Sequence, residues 1–344
     1  MDDIKEFLTN CVKKGAFPGG NYIIGNPDAI LEQGSFGTMD GSKTVDMNTI
    51  YDLASLTKTV TSIATMRMLQ QGLLCMEDTI GVFLPENDKS DVMLYELMTH
   101  TSRIQGAEKL YRKCDTKEKM IESLLSMPPR DTKAVPVEYS CAGYIILGAI
   151  LEAIAGRGLD EVFKTLVLDP LGMENTMFNP PDSIHERIAP TEFCQWRNCI
   201  IKGRVHDENA VVMGGISGNA GLFGTAPDIA KIAKMMLTGK DEKGRDFLSP
   251  AIIKEMTRDH TIGLNLSRGL GWQVKRGPGT PMGDLYSNGS FGHTGFTGTS
   301  FYIDPERKLY AVLLTNRVHP TRENEKIFRV RKIFHNLVIL QYGK

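Results

Sequence analysis

No run of apolar residues in the chain approaches the length that crosses a bilayer as a helix. Neither charge is in excess: 40 Lys and Arg stand against 41 Asp and Glu, a formal net charge of −1. The first absence excludes a transmembrane helix. The second removes the electrostatic case for nucleic acid or an anionic membrane as partner. Cysteine is sparse as well. The six (Cys11, Cys75, Cys114, Cys141, Cys194, Cys199) are scattered, none forms a C-x-x-C, and the closest pair is Cys194 and Cys199. The seven histidines include no H-x-x-x-H and lie near no cysteine cluster, so neither a metal centre nor a cofactor is expected. The acidic, amphipathic start, Met1-Asp2-Asp3-Ile4-Lys5-Glu6-Phe7-Leu8, has neither a basic n-region nor an apolar h-region. That makes free thiols in a reducing cytoplasm the expectation.

What remains is an ordinary globular chain of 344 residues, 41% hydrophobic and 24% charged, long enough to bury a large core. Its 17 methionines read as core filling. An apolar stripe predicts a helix over residues 2–14. Two short strands, 21–25 and 29–34, follow around an Asn26-Pro27-Asp28 turn. A helix is expected from Ser55 to about Gln71, capped by Gly72 and apolar on a broad front. Residues 76–180 are mostly helical in pattern, with helices at 91–98, 117–127, 142–155 and 161–166. Residues 200–226 are glycine-rich and irregular, without the G-K-[ST] ending of a phosphate loop. Helices return at 229–237 and 251–256. Strands then follow at 269–274, 290–293, 299–304 and 309–315, the last two around Pro305-Glu306-Arg307-Lys308, and a final helix over about 322–341. Strands at both ends with helices between imply an α+β fold: one antiparallel sheet built from both termini, covered by the terminal helices, with an inserted all-helical lobe.

Within that frame Leu53-Ala54-Ser55-Leu56-Thr57-Lys58 places a serine and a lysine at i and i+3, on one helical face. A hydroxyl becomes a useful nucleophile when a neighbouring base takes its proton, and a desolvated lysine is such a base. Alone the pair is weak, since a Ser-x-x-Lys arises roughly once by chance in a chain of this size, and a capping serine beside a solvated lysine looks the same. Two further segments could supply partners. Tyr139-Ser140-Cys141 precedes the helix at Ala142, and His293-Thr294-Gly295 ends a strand where a glycine admits close approach to the backbone.

These three segments, in this order, resemble the serine β-lactamase and penicillin-binding protein superfamily, and within it the class C-like branch that includes esterases and D-aminopeptidases. The resemblance extends through Leu97-Met98-Thr99-His100-Thr101-Ser102, Val205-His206-Asp207-Glu208-Asn209-Ala210, Gly218-Asn219-Ala220-Gly221-Leu222-Phe223 and Gly292 to Thr299. It implies a five-stranded antiparallel sheet with flanking helices, in one catalytic domain of residues 1–344. The α/β lobe would comprise 1–75 plus about 225–344, and the helical lobe about 76–224, with the site between them. It further implies that Ser55 is acylated, that Lys58 and Tyr139 share its proton, and that the N–H groups of Ser55 and Phe296 form an oxyanion hole. Cys141, His293, Thr294, Gly295 and Phe296 would meet a small acyl substrate: an ester, a peptide or a β-lactam.

The chain departs from the family pattern at three positions. Cys141 stands where asparagine is usual, and a thiol is a weak donor and poor acceptor. His293 replaces the lysine of Lys-Thr-Gly and would hold a substrate carboxylate less firmly. Arg103 takes a glycine's place after Thr101-Ser102. The expected activity is therefore that of a serine hydrolase whose choice among lactam, small ester and D-amino-acid peptide is open. The alternative from another class is a catalytically silent scaffold or sensor. His100 and His206 read as loop-fixing residues.

Overall fold

The computed structural model describes residues 3–85, 87–107 and 109–343. Its main sheet is made by six strands: β1 (Gly19–Gly25), β2 (Ile30–Gly37), β3 (Gln273–Val274), β4 (Phe291–Thr294), β5 (Ser300–Asp304) and β6 (Leu309–Thr315), in the order β2-β1-β6-β5-β4-β3 with every pairing antiparallel. The six fall where six short strands are read along the chain, one more than the five-stranded sheet that the resemblance implies. Residues 269–274 do not form one strand: the Gly271 N–H turns to the Met98 carbonyl (3.1 Å), leaving only Gln273–Val274 to pair with β4.

The apolar runs of β1, β5 and β6 are continuous because both faces of the sheet are covered. Side chains alternate across the pleat. Tyr22, Ile24, Tyr302, Ala311 and Leu313 therefore pack with Ile4, Leu8 and Phe334 on one side. Ile23, Phe301, Val312 and Leu314 enter the larger core on the other. The first side is covered by the terminal helices, Ile4–Lys13 and Ile327–Tyr342. The helix Ala226–Thr238 lies against β1 and β6 on the second. Each fully buried Val, Leu or Ile contributes roughly 1.5–3 kcal/mol, and register is pinned because a one-residue slip would exchange the two faces.

The helical part is centred on Thr57–Gln70 and Ala142–Ala155, which pack together in the larger core. The second helix ends where Gly156 adopts φ 64°, as its sequence suggests. A small antiparallel sheet that the sequence did not reveal joins Tyr51–Asp52 and Met177–Phe178 to the two sides of Leu222–Gly224. It fixes the approach to Ser55, since the next N–H, that of Leu53, bonds the Leu222 carbonyl at 2.9 Å.

Candidate active site

Ser55 sits in a single tight turn, Ala54–Leu56, that runs straight into the helix Thr57–Gln70. The turn is strained: Ala54 has φ 48°, a region that costs an ordinary residue about 1–2 kcal/mol. Buried Asp52 braces it, accepting hydrogen bonds from the N–H groups of Ala54 (2.8 Å) and His206 (2.7 Å).

Lys58, one turn along, is fully buried. Its Nζ donates to Ser55 Oγ (3.0 Å), the Asn219 carbonyl (3.0 Å) and Cys141 Sγ (3.5 Å), and lies 5.0 Å from the Tyr139 ring centroid. Burial works against the ammonium, but the anionic forms of Cys141 and Tyr139, with Asp207, outweigh it and hold the group above the usual lysine range. The glycine-rich segment delivers the Asn219 carbonyl. A Cβ on Gly218 would lie 2.2 Å from the Tyr144 carbonyl, so only glycine lets this backbone reach the helix Ala142–Ala155.

Tyr139 is held by its neighbours. The His100 Nδ1 accepts from the Ser140 N–H (3.3 Å), the His100 carbonyl accepts from the Glu138 N–H (3.0 Å), and the His100 ring lies 4.8 Å from that of Tyr139. Asn265 clamps the same loop by bonding both the N–H and the carbonyl of Val137 (3.0 and 2.8 Å). The left-handed residue of the turn after the helix Leu94–Thr99 is His100 (φ 59°) and not Arg103, which instead pairs with Asp91.

Opposite the serine, β4 ends in Thr294 and passes to Gly295 and Phe296. Among the described residues neither the Ser55 nor the Phe296 N–H has a hydrogen-bond acceptor, so both donors are available to an oxyanion. Phe296 is fixed from both sides: its ring stacks on His206 (5.5 Å), lies 4.5 Å from the Arg317 guanidinium, and its carbonyl accepts from Arg317 Nε at 2.9 Å. A Cβ on Gly295 would stand 2.0 Å from Thr299 Oγ1 and 2.6 Å from the Leu53 carbonyl. Gly295→Ala should therefore push Phe296 away from Ser55 and cut ester turnover roughly 100-fold. Steady-state kinetics check it, and unchanged kcat/KM would show that the two segments need not touch.

His293 does not face the cleft as a cation. It is 1% exposed, its Nδ1 lies 2.8 Å from the Thr294 carbonyl, and burial, with Lys58 and Arg268 nearby, takes its pKa down to about 3. His335 is likewise depressed to about 3, by burial and Arg331. An unfolded chain protonates these rings near pH 6.5, the folded chain only near pH 3, so unfolding takes up protons between those values. Stability is complete above about pH 6.5 and falls as the pH drops through the window, by about 1.4 kcal/mol per unit per histidine. Urea midpoints should accordingly be lower at pH 5 than at pH 7.5; equal midpoints would contradict the buried neutral rings.

Ser55, Tyr139, Thr294, Gly295 and Phe296 line one cleft of about 300 Å³, together with Arg268, Gln273, Arg317, Phe328 and Arg331. Cys141 touches Lys58 behind the serine. The arginines and Gln273 escaped sequence reasoning, because an arginine destined for a cleft and one destined for solvent look alike in a sequence. No group of three or more His, Cys, Asp or Glu able to hold a metal occurs among the described residues.

A family model described as Beta-lactamase matches residues 4–334. A protein of Salmonella agona (strain SL483) named "Putative D-alanyl-D-alanine carboxypeptidase" is 30% identical over 364 residues, covering 93% of this chain and 83% of that protein. Among solved structures, EstCE1, described as a hydrolase with promiscuous acyltransferase activity, is similar at TM-score 0.78 and 22% identity over 97% of each chain. A class C β-lactamase from Rhodobacter sphaeroides is similar at 0.73 and 15%, over 98% of this chain and 99% of its own. These structures share the fold, and the family model and the Salmonella relative decide the membership: the chain belongs to the β-lactamase family.

Proposed function

We propose that the protein is a serine hydrolase that forms an acyl-enzyme on Ser55 and acts on small esters or peptides in preference to β-lactams. The observation that supports this most directly is the bond from the buried Lys58 ammonium to Ser55 Oγ (3.0 Å) beside two unengaged N–H donors. The Ser55 oxygen attacks the substrate carbonyl carbon while its proton passes to the Lys58–Tyr139 pair. The oxyanion collects on the Ser55 and Phe296 N–H groups. Collapse expels the alcohol or amine with that proton, and water then releases the acid and frees the serine.

The preference follows from Cys141. Its thiol is turned to Lys58, and it offers no strong donor or acceptor to the acylamino group of a penicillin. Incubation with a fluorophosphonate, read by intact mass, tests the nucleophile: one adduct per chain is expected, and none would overturn the hydrolase reading. A p-nitrophenyl ester should be turned over faster than a chromogenic cephalosporin, and the reverse order would overturn the preference.

A further inference from the structure

Cys194 and Cys199 stand directly opposite each other where the strands Phe193–Cys194 and Cys199–Ile200 pair antiparallel, and both thiols are free. Facing residues of such a pair have Cα atoms about 4.5 or 5.5 Å apart, and a disulfide spans about 4.4–6.8 Å. The two thiols differ in access: Cys194 is 3% exposed, whereas Cys199 lies open to solvent. The base of the hairpin is held, with the Thr191 and Ile201 N–H groups bonding the Ile201 and Glu192 carbonyls (2.8 and 3.0 Å). Its tip, Gln195 to Asn198, is tied to the active site. Arg197 donates to the carbonyls of Val205 (2.7 Å) and His206 (2.6 Å). The His206 N–H bonds Asp52, the brace of the Ser55 turn, and the His206 ring stacks on Phe296.

We propose that Cys194 and Cys199 are a site of reversible thiol–disulfide exchange with small-molecule disulfides, and that closing the bond slows catalysis at Ser55. The slowing rests on the serine-hydrolase reading; the exchange itself does not. The exposed Cys199 thiolate attacks one sulfur of the incoming disulfide and releases the other as a thiolate. The Cys194 thiolate then attacks the Cys199 sulfur and expels the second thiolate. The chain loses two electrons and two protons, and the reagent gains them as two thiols. Cβ atoms that face each other across a strand pair lie about 4.5–5.5 Å apart, but about 3.5–4.5 Å apart in a disulfide. Closure therefore draws Cys199 toward the buried Cys194. That pulls on Arg197, two residues before it, and through His206 on the Phe296 oxyanion donor. A disulfide with one exposed sulfur is of the readily reduced kind, which makes the change reversible.

The test equilibrates the native protein with glutathione disulfide, alkylates the remaining thiols, and digests the denatured chain with trypsin without reductant. Trypsin cuts after Arg187, Arg197 and Lys202, so the bond reads as peptides 188–197 and 198–202 joined, parting on dithiothreitol. Joined peptides support the site. A lasting glutathione adduct on Cys199 of the native chain, or alkylation of both thiols, would overturn it. Cys194→Ser should trap that adduct, because the resolving thiol is gone; should this variant not fold, the native digest still decides. Ester kcat/KM should fall about tenfold on oxidation and return on reduction, whereas Cys199→Ser should keep its activity in the reagent. Unchanged turnover with the bond formed, or an equal fall in Cys199→Ser, would overturn the coupling to the cleft. Fluorophosphonate labelling separates the failures. If the reduced native chain is not labelled, the hydrolase reading falls and the slowing with it, while the joined peptides still decide the exchange site.

Discussion

Ser55→Ala is expected to lower kcat for ester hydrolysis by about 10⁴- to 10⁶-fold, the scale seen when a serine nucleophile is removed, and to abolish the covalent fluorophosphonate adduct. The expectation rests on more than the identity of the residue. The strained Ala54, the Asp52 brace and the bond from Lys58 all converge on one side chain. Nothing in the fold requires that hydroxyl. It is half-buried at the lip of the cleft, and its deletion leaves Lys58 with the Asn219 carbonyl as acceptor. Thermal stability should consequently change little, which separates loss of chemistry from loss of fold. An adduct that persists on the alanine variant would place the nucleophile elsewhere. A fall of less than tenfold in kcat would mean that water can be activated without the serine, which the two oxyanion donors alone do not supply.

Most regular elements could be read from the chain because their signals are local. The continuous apolar runs of β5 and β6 bracket a turn-forming tetrapeptide. Gly156 and Gly72 close helices whose apolar positions define them, and the i, i+3 pairing of Ser55 and Lys58 needs only helical geometry. The features that were not legible depend on distant residues. Tyr51–Asp52 and Leu222–Gly224 are too short to be recognised as strands, and each becomes one only by meeting partners distant in the sequence, the two pairing with each other and Leu222–Gly224 also with Met177–Phe178. Alanine gives no sign of a left-handed conformation, so the turn at Ala54 was invisible. The last helix begins at Ile327 and not near 322, because Arg322 is drawn out to Glu192 and Glu208 and the carbonyls of Arg322 and Asn324 are taken by Arg317. His293 was legible as a motif residue but not in its charge, which depends on complete burial near Lys58, Arg268 and Arg331. Arg268 carried no signal, since only its burial in the cleft distinguishes it.

Lys58→Met should separate function from stability in opposite directions. Lys58 is wholly buried, and its Nζ has a hydroxyl, a carbonyl and a thiol within bonding distance but no carboxylate. Its charge therefore depends on the anionic forms of Tyr139 and Cys141 and on more distant Asp207. When those partners are neutral, desolvation is poorly offset. Removing a buried charge that has no carboxylate partner relieves its desolvation cost, which offsets or exceeds the loss of its bond to the Asn219 carbonyl. The flanking rings of Tyr139 and Tyr144, 5.0 and 5.8 Å away, would receive a thioether favourably. Catalysis should move the other way. Without the amine the serine proton has no shared acceptor, and loss of a positioned acid–base group costs about 10²- to 10⁴-fold. The rate of fluorophosphonate labelling reads this loss at the acylation step itself, apart from deacylation, while a melting curve reads stability. A slow-labelling variant that melts at or above the native temperature identifies Lys58 as a group kept for chemistry. If labelling and melting temperature fall together, Lys58 is a strut between the Ser55 turn and the Asn219 segment, and the serine must be activated from the Tyr139 side alone.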